Sequence, residues 1–291
     1  MKPIIKIGAI VGVLAAGIVG GQMYLDHKAQ AKVTEFLEKS DLQKVSFQNA
    51  SIDLFSQSLV VTGISAPDTG VVNTTIEKVV VHKWDDKNEK PLYVDLEVKG
   101  LVLDPDPIAK QSPELAKMLD LKKVRGNLRI DYRVDEEAKT LSLNRLAADV
   151  EDFFALEGNL HLKNFDESAF DQDEAADKVV LKSMNVTLED QGAIDLLFKL
   201  NQMFGNSPLS RKEWADQIEL MSEIWQVQPE LEDVPREYYK AAEEVVKFLR
   251  SPGVLSLRVA PTAEVSLGDY DKKDPVELAK ALNFAVSYQA K

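Results

Sequence analysis

Val124-Arg125-Gly126-Asn127-Leu128-Arg129-Ile130-Asp131-Tyr132-Arg133-Val134 is the stretch whose reading decides the fold. Val124, Leu128, Ile130, Tyr132 and Val134 fall on one side of an extended chain, and Arg125, Arg129, Asp131 and Arg133 on the other. Successive strand side chains point to opposite faces, so this is a strand with one dry and one wet side. Such a strand belongs in an antiparallel sheet.

Working towards the N-terminus, Leu92, Val94, Leu96 and Val98 alternate with Tyr93, Asp95 and Glu97 in the same way. After Gly100 the apolar phase flips to Leu101 and Leu103, as a β-bulge would produce. Asp104-Pro105-Asp106-Pro107 ends that strand, because proline cannot donate to a ladder. Ser112-Pro113 then supplies an N-cap and first-turn pair for a short helix ending near Leu121. Further upstream, Ser46–Leu54 and Leu59–Ser65 form an expected hairpin around Ser56-Gln57-Ser58, followed by the turn Ala66-Pro67-Asp68-Thr69-Gly70 and a strand over Val72–Lys83.

Towards the C-terminus, Leu141–Val150 and Phe153–Leu162 continue the meander, the latter through Phe154, Leu156, Leu160 and Leu162. Phe165–Asp177 is an acidic loop and Val179–Leu188 another strand. The period then becomes helical. Gly192–Phe204 is apolar on most sides and is expected to be buried. Ser210 with Glu213 is a capping box for a helix with the stripe Trp214, Ile218, Met221 and Trp225, which reads as core packing. A third helix follows Asp233, carries Tyr239, Ala242, Val246 and Leu249, and stops at Ser251-Pro252-Gly253. A hairpin of Leu255–Val259 with Val265–Leu267 around Pro261, a helix capped by Asp274-Pro275 and a strand over Phe284–Tyr288 complete the chain.

The residues before this domain have a different character. Ile7–Leu25 contains no charge and follows Lys2 and Lys6. As a helix it is about 28 Å long, close to the roughly 30 Å hydrocarbon core of a bilayer. Ile7, Gly8, Gly12, Leu14, Gly17, Gly21 and Leu25 are its marker positions. Gly8 and Gly12, and Gly17 and Gly21, are spaced to let a second helix approach, though glycine is also common in any membrane span. Ala29-Gln30-Ala31 meets the small-x-small rule of a cleaved leader, but Gln22–Lys28 separates it from the apolar core. Lys28, Lys32 and Lys39 balance Lys2 and Lys6, so counting basic residues does not orient the segment; a short basic head before an apolar run is nevertheless an export pattern.

The expected architecture is therefore α+β: an N-terminal single transmembrane helix, then a large, curved, mainly antiparallel sheet with about three to five helices packed on it. The expected division is an anchor over 1–25, a juxtamembrane helical stalk over 26–41 and a periplasmic domain over 42–291. Within that domain 42–190 is β-rich, 192–251 is a helical insertion, and 252–291 holds closing strands and a short helix. The candidate apolar sheet face comprises Leu92, Val94, Leu96, Val98, Leu128, Ile130, Tyr132, Val134, Phe154, Leu156 and Leu160.

Chemistry is sparse. The formal net charge of −13 opposes attraction to nucleic acid and to anionic head groups. The absence of cysteine removes disulfides, thiolate nucleophiles, zinc–cysteine sites and lipoprotein acylation together. His27, His82 and His161 are scattered, and the latter two read as solvent-facing strand residues. Asp269, Asp271 and Asp274 lack the glycine and terminal glutamate of an EF-hand loop and read as a solvated acidic turn. No nucleophile elbow, phosphate-cradling loop or dinucleotide fingerprint is present, so no catalytic, cofactor or metal residues are assigned.

Val45-Ser46-Phe47-Gln48-Asn49-Ala50-Ser51-Ile52-Asp53-Leu54-Phe55 with Ser58-Leu59-Val60-Val61-Thr62-Gly63-Ile64 resembles the first hairpin of AsmA-like and YdgA-like bacterial envelope proteins. Leu188-Glu189-Asp190-Gln191-Gly192, Phe248-Leu249-Arg250-Ser251-Pro252-Gly253 and the segment through Pro261 are similar to the closing half of such domains. The resemblance implies a bacterial inner-membrane anchor, a periplasmic β-rich domain and a link to outer-membrane biogenesis and lipid movement. The expected partners are the bilayer, through the N-terminal helix, and a lipid or protein of the envelope. The expected function is non-enzymatic lipid handling or assembly through the apolar sheet face. The competing expectation is a structural or protein-binding module whose own helices fill that face; a catalyst is a third and weaker reading.

Overall fold

The computed structural model describes residues 29–31, 33, 34, 37, 45–53, 56–66, 73–85, 88, 91–118, 122–166, 173–204, 209–227, 236–269 and 274–291. Among the described residues ten strands lie in one antiparallel sheet whose spatial order is the chain order. They are β1 (Asn49–Asp53), β2 (Ser58–Ala66), β3 (Asn73–Trp84), β4 (Tyr93–Asp104), β5 (Val124–Asp135), β6 (Thr140–Val150), β7 (Phe154–Lys163), β8 (Val180–Asp190), β9 (Gly253–Val259) and β10 (Phe284–Ala290). The helices whose bounds are described are α1 (Asp106–Gln111), α2 (Pro113–Met118), α3 (Asp173–Ala176), α4 (Ala193–Phe204), α5 (Arg211–Val227), α6 (Arg236–Arg250) and α7 (Pro275–Leu282).

This corrects the expected fold class. The described chain is mostly antiparallel sheet with a few short helices, not an α+β fold led by a membrane-spanning helix. Among the described residues no helix is long and apolar enough to cross a membrane. The expected span, with Ile7, Gly8, Gly12, Leu14, Gly17, Gly21 and Leu25, lies outside the described residues. Apolar helical periodicity does not make a second packed layer here, because α4 and α5 leave large side chains in solvent.

The chain divides into two compact units, Met1–Arg133 with Ala147–Glu151, and Val134–Leu146 with Asp152–Lys291. In the first, residues paired across strands share a face and build rows. One row runs Ile52, Leu59, Val81, Leu96 and Ile130, and the next Ala50, Val61, Val79, Val98 and Leu128. Ala29, Val33 and Leu37, helical and four residues apart, join these side chains in one buried cluster. Fully burying each Val or Leu side chain contributes roughly 1.5–3 kcal/mol, so the cluster supplies much of this unit's cohesion.

Gly100 produces the expected phase flip. Its φ is +62°, and the pairing of β4 with β5 shifts between Val98 and Leu101. Val94, Leu96 and Val98 therefore share a face with Leu101 despite the change of parity. The Gly100 amide donates to Asn127 Oδ1 at 3.1 Å, which fixes the bulge to the neighbouring strand. At the β3–β4 connection, buried Asp85 accepts from Leu92 N at 2.9 Å and Asn88 Nδ2 at 2.7 Å. Leu92 thus sits in the turn before β4, not in the strand.

In the second unit the expected hairpin around Pro261 is absent. β9 pairs instead with β8 on one side and β10 on the other, and Ser266 makes only an isolated bridge to Val180. Asp274 caps α7 by accepting from Val276 N at 2.8 Å and Glu277 N at 3.3 Å. Asn283, in the left-handed region at φ 44°, ends α7 and turns the chain into β10. The capping box is formed as expected: Ser210 N donates to Glu213 Oε2 at 2.6 Å and Glu213 N to Ser210 Oγ at 3.3 Å.

Candidate functional site

The strongest candidate is the apolar face of β7–β10 in the second unit. Cross-strand registers place Leu156, Leu188, Leu255 and Tyr288 in one row. Gly158, Val186, Leu257 and Val286 form the next, and Leu160, Met184, Val259 and Phe284 the third. Three consecutive apolar rows on one face require a cover or an occupant, since exposed apolar area on this scale is uncommon without a role.

Helix α6 covers one side of it. Val246 and Phe248 are buried, the Phe248 ring lies 6.4 Å from Tyr288, and Tyr238 meets Phe284 edge-on at 4.6 Å. Both partners belong to β10, so the cover sits over the β9–β10 side. Leu156 and Leu160 on β7 and Met184, Val186 and Leu188 on β8 remain half-buried. The opposite face is polar: Asn159, Asn185 and Arg258 form one row there, and Glu157, Thr187, Ser256 and Ser287 another. Asn185 Nδ2 donates to Asn159 Oδ1 at 2.9 Å, and the Thr187 and Ser256 hydroxyls are 3.3 Å apart. Only the first face suits an acyl chain.

A buried ion pair holds the helices at the end of these strands. Asp190, the last residue of β8, accepts from Gly192 N at 3.1 Å and Ile194 N at 3.2 Å and so caps α4. Its other oxygen meets Arg211 Nη1 at 2.7 Å. Arg211 also donates from Nε to Leu249 O and from Nη2 to Phe248 O, each at 2.7 Å, which satisfies carbonyls at the end of α6. One guanidinium therefore ties β8, α4, α5 and α6 together.

The anticipated face residues are shared between the units. Val94, Leu96 and Val98 are buried in the first unit's core, while Leu128, Ile130 and Tyr132 are half-buried beside it. Tyr132 donates its hydroxyl to Pro91 O at 2.9 Å, and burial, then the charge of Asp85, pushes its pKa up. Val134, Phe154, Leu156 and Leu160 belong to the second unit, with Val134 buried and the others half-buried. Met184, Val186, Leu188, Leu255 and Leu257 were not anticipated as face residues. Their alternation was visible, but Leu255 and Leu257 join β8 only across the long helical insertion, and Met184, Val186 and Leu188 join the face through their register with β7.

The other candidates are structural. His82 Nδ1 lies 3.0 Å from Ser58 Oγ and His161 Nδ1 lies 3.1 Å from Ser142 Oγ, so both are half-buried and hydrogen-bonded instead of solvent-facing. Asp269 accepts from Ser266 N at 2.9 Å and Asp274 caps α7, while Asp271 lies outside the described residues. Among the described residues no group of three or more acidic or histidine side chains could hold a metal ion. An open polar depression is lined by Lys139, Asn164, Asp177, Lys178, Glu264 and Asp269, whose mixed signs give no strong field for a charged substrate.

A protein-family model described only as "Uncharacterized protein" matches residues 147–289. No curated protein matches the chain.

Proposed function

We propose that this chain is a non-enzymatic factor of the bacterial envelope that shields a lipid acyl chain against the half-covered apolar rows of β7 and β8. The observation that carries the reading is the breadth of the half-buried apolar face. α6 reaches β10 through Tyr238 and Phe248, and Leu156, Leu160, Met184, Val186 and Leu188, like Leu255 and Leu257, remain half-buried. Shielding a 16-carbon chain contributes on the order of 12 kcal/mol at about 0.8 kcal/mol per methylene, enough to draw a lipid out of water. The uncharged stretch Ile7–Leu25 supports a site at the inner membrane with the strands on the periplasmic side. The likeness of the β1–β2 region to AsmA-like and YdgA-like hairpins supports the same compartment.

A second reading, a protein-binding scaffold, is favoured by the first unit, where Ala29, Val33 and Leu37 pack on its own buried strand rows. The experiment is mass spectrometry of lipid retained by the purified full chain, compared with a Met184→Glu variant of unchanged melting temperature. Retained phospholipid that is lost in the variant supports lipid handling. Lipid absent from both proteins, or equal in both, rejects it in favour of the scaffold.

A further inference from the structure

We infer that Glu244 of α6 guards the outer edge of β10 and keeps that strand from pairing with β10 of a second copy of this chain. Among the described residues β10 pairs with β9 on one side and with no strand on the other. Tyr288 N donates to Glu244 Oε2 at 2.7 Å, so it points away from β9. In an antiparallel strand alternate residues turn their backbone groups to the same side, and the pairing of β9 with β10 keeps one register throughout. The amide and carbonyl of Val286 therefore point to the outer side as well.

The composition of β10 makes such an edge a hazard. Phe284-Ala285-Val286-Ser287-Tyr288-Gln289-Ala290 contains no charge, no proline and no glycine. Strands of that kind pair with copies of themselves unless something on the edge prevents it. The net charge of −13 keeps copies apart elsewhere, but none of it lies on this strand. At the other end of the sheet β1 has only five residues and ends on Asp53. A two-fold axis through Val286 would set Phe284 of one copy against Tyr288 of the other and extend the antiparallel order of the sheet. A second copy is therefore the partner that fits.

α6 supplies the protection that β10 lacks. Tyr238 meets Phe284 and Phe248 meets Tyr288, so the helix runs along the strand. Glu244 lies between those two contacts in the helix. Its Oε1 accepts from Lys247 Nζ, and its side chain is 21% exposed, so the carboxylate is held in place. An incoming strand needs the Tyr288 amide, which Glu244 already occupies. It would also bring its carbonyl oxygens against a carboxylate that has no proton to donate.

The test is sedimentation of the full chain in a neutral detergent. Glu244→Ala removes the acceptor and is expected to sediment at about twice the wild-type mass, as a closed two-fold pair. Glu244→Gln keeps an oxygen for the Tyr288 amide and is expected to stay at the wild-type mass. Ser287→Lys added to Glu244→Ala puts a charge on an exposed position of the edge strand and is expected to restore the wild-type mass. Amide exchange gives a readout independent of association: the Tyr288 amide should be protected in the wild type and exchange at least about tenfold faster in that double variant. Glu244→Ala at the wild-type mass, an assembly that survives Ser287→Lys, or unchanged exchange at Tyr288 would overturn the inference. So would a wild-type chain whose own mass falls on Ser287→Lys, because its edge would then be open with Glu244 in place.

Discussion

Arg211 Nη1 lies 2.7 Å from Asp190 Oδ2, and the Asp190 carboxylate is 1% exposed. The pair joins the end of a strand to the start of a helix, and the same guanidinium satisfies two carbonyls at the end of α6. A buried pair is weak evidence for net stability, but removing one partner leaves an uncompensated charge. Arg211→Ala is expected to destabilise the second unit by roughly 3–5 kcal/mol. Arg211→Lys should recover little, since one ammonium cannot reproduce the planar fork that reaches Asp190, Phe248 and Leu249. Urea unfolding monitored by tryptophan fluorescence measures both variants.

Gly100 is the position where β4 changes parity without changing face. Its φ of +62° is strained for any residue with a side chain, and a Cβ there would lie 2.7 Å from the Glu77 Cβ. Gly100→Ala is expected to cost at least about 1–2 kcal/mol from backbone strain alone. The loss should fall on the first unit, read by faster amide exchange at Val98 and Leu101.

Acid should loosen the seam between α6 and β10. Glu244 accepts from Lys247 Nζ and from Tyr288 N, and these bonds hold its carboxyl below the usual value of 4.5. A carboxylate with a depressed folded pKa adds stability above its unfolded pKa. That contribution is lost as pH falls through the folded value. The melting temperature should therefore decline as pH drops below 4.5, and Glu244→Gln should show a shallower decline. Glu219, held low by Arg250, adds to the same trend and leaves a residual slope in the variant.

Local chemistry was legible where a few neighbouring residues decide the structure. Gly100 between two apolar phases announced the bulge, and Ser210 with Glu213 announced the cap. Partners far apart in sequence were not legible. Pro261 suggested a local hairpin, yet β9 pairs with β10, reached only after α7. Helical spacing grouped Trp214, Met221 and Trp225 on one side, but did not say whether that side meets the protein. Ala215 and Ser222 made the buried contact with too little hydrophobic signal to mark it. The candidate site was half visible: Leu156 and Leu160 were recognised, whereas Met184, Val186 and Leu188 became part of it through register.

The proposed function requires a lipid chain to lie on one face of β7 and β8 and not on the other. Met184 and Asn185 are adjacent in sequence and belong to opposite faces of β8. A photo-crosslinking amino acid placed at each position in the full chain, followed by irradiation in cells and mass analysis, separates the two directly. The expected result is a phospholipid adduct at position 184 and none at 185. Adducts of equal yield at both positions, or none at either, would reject lipid shielding by this face.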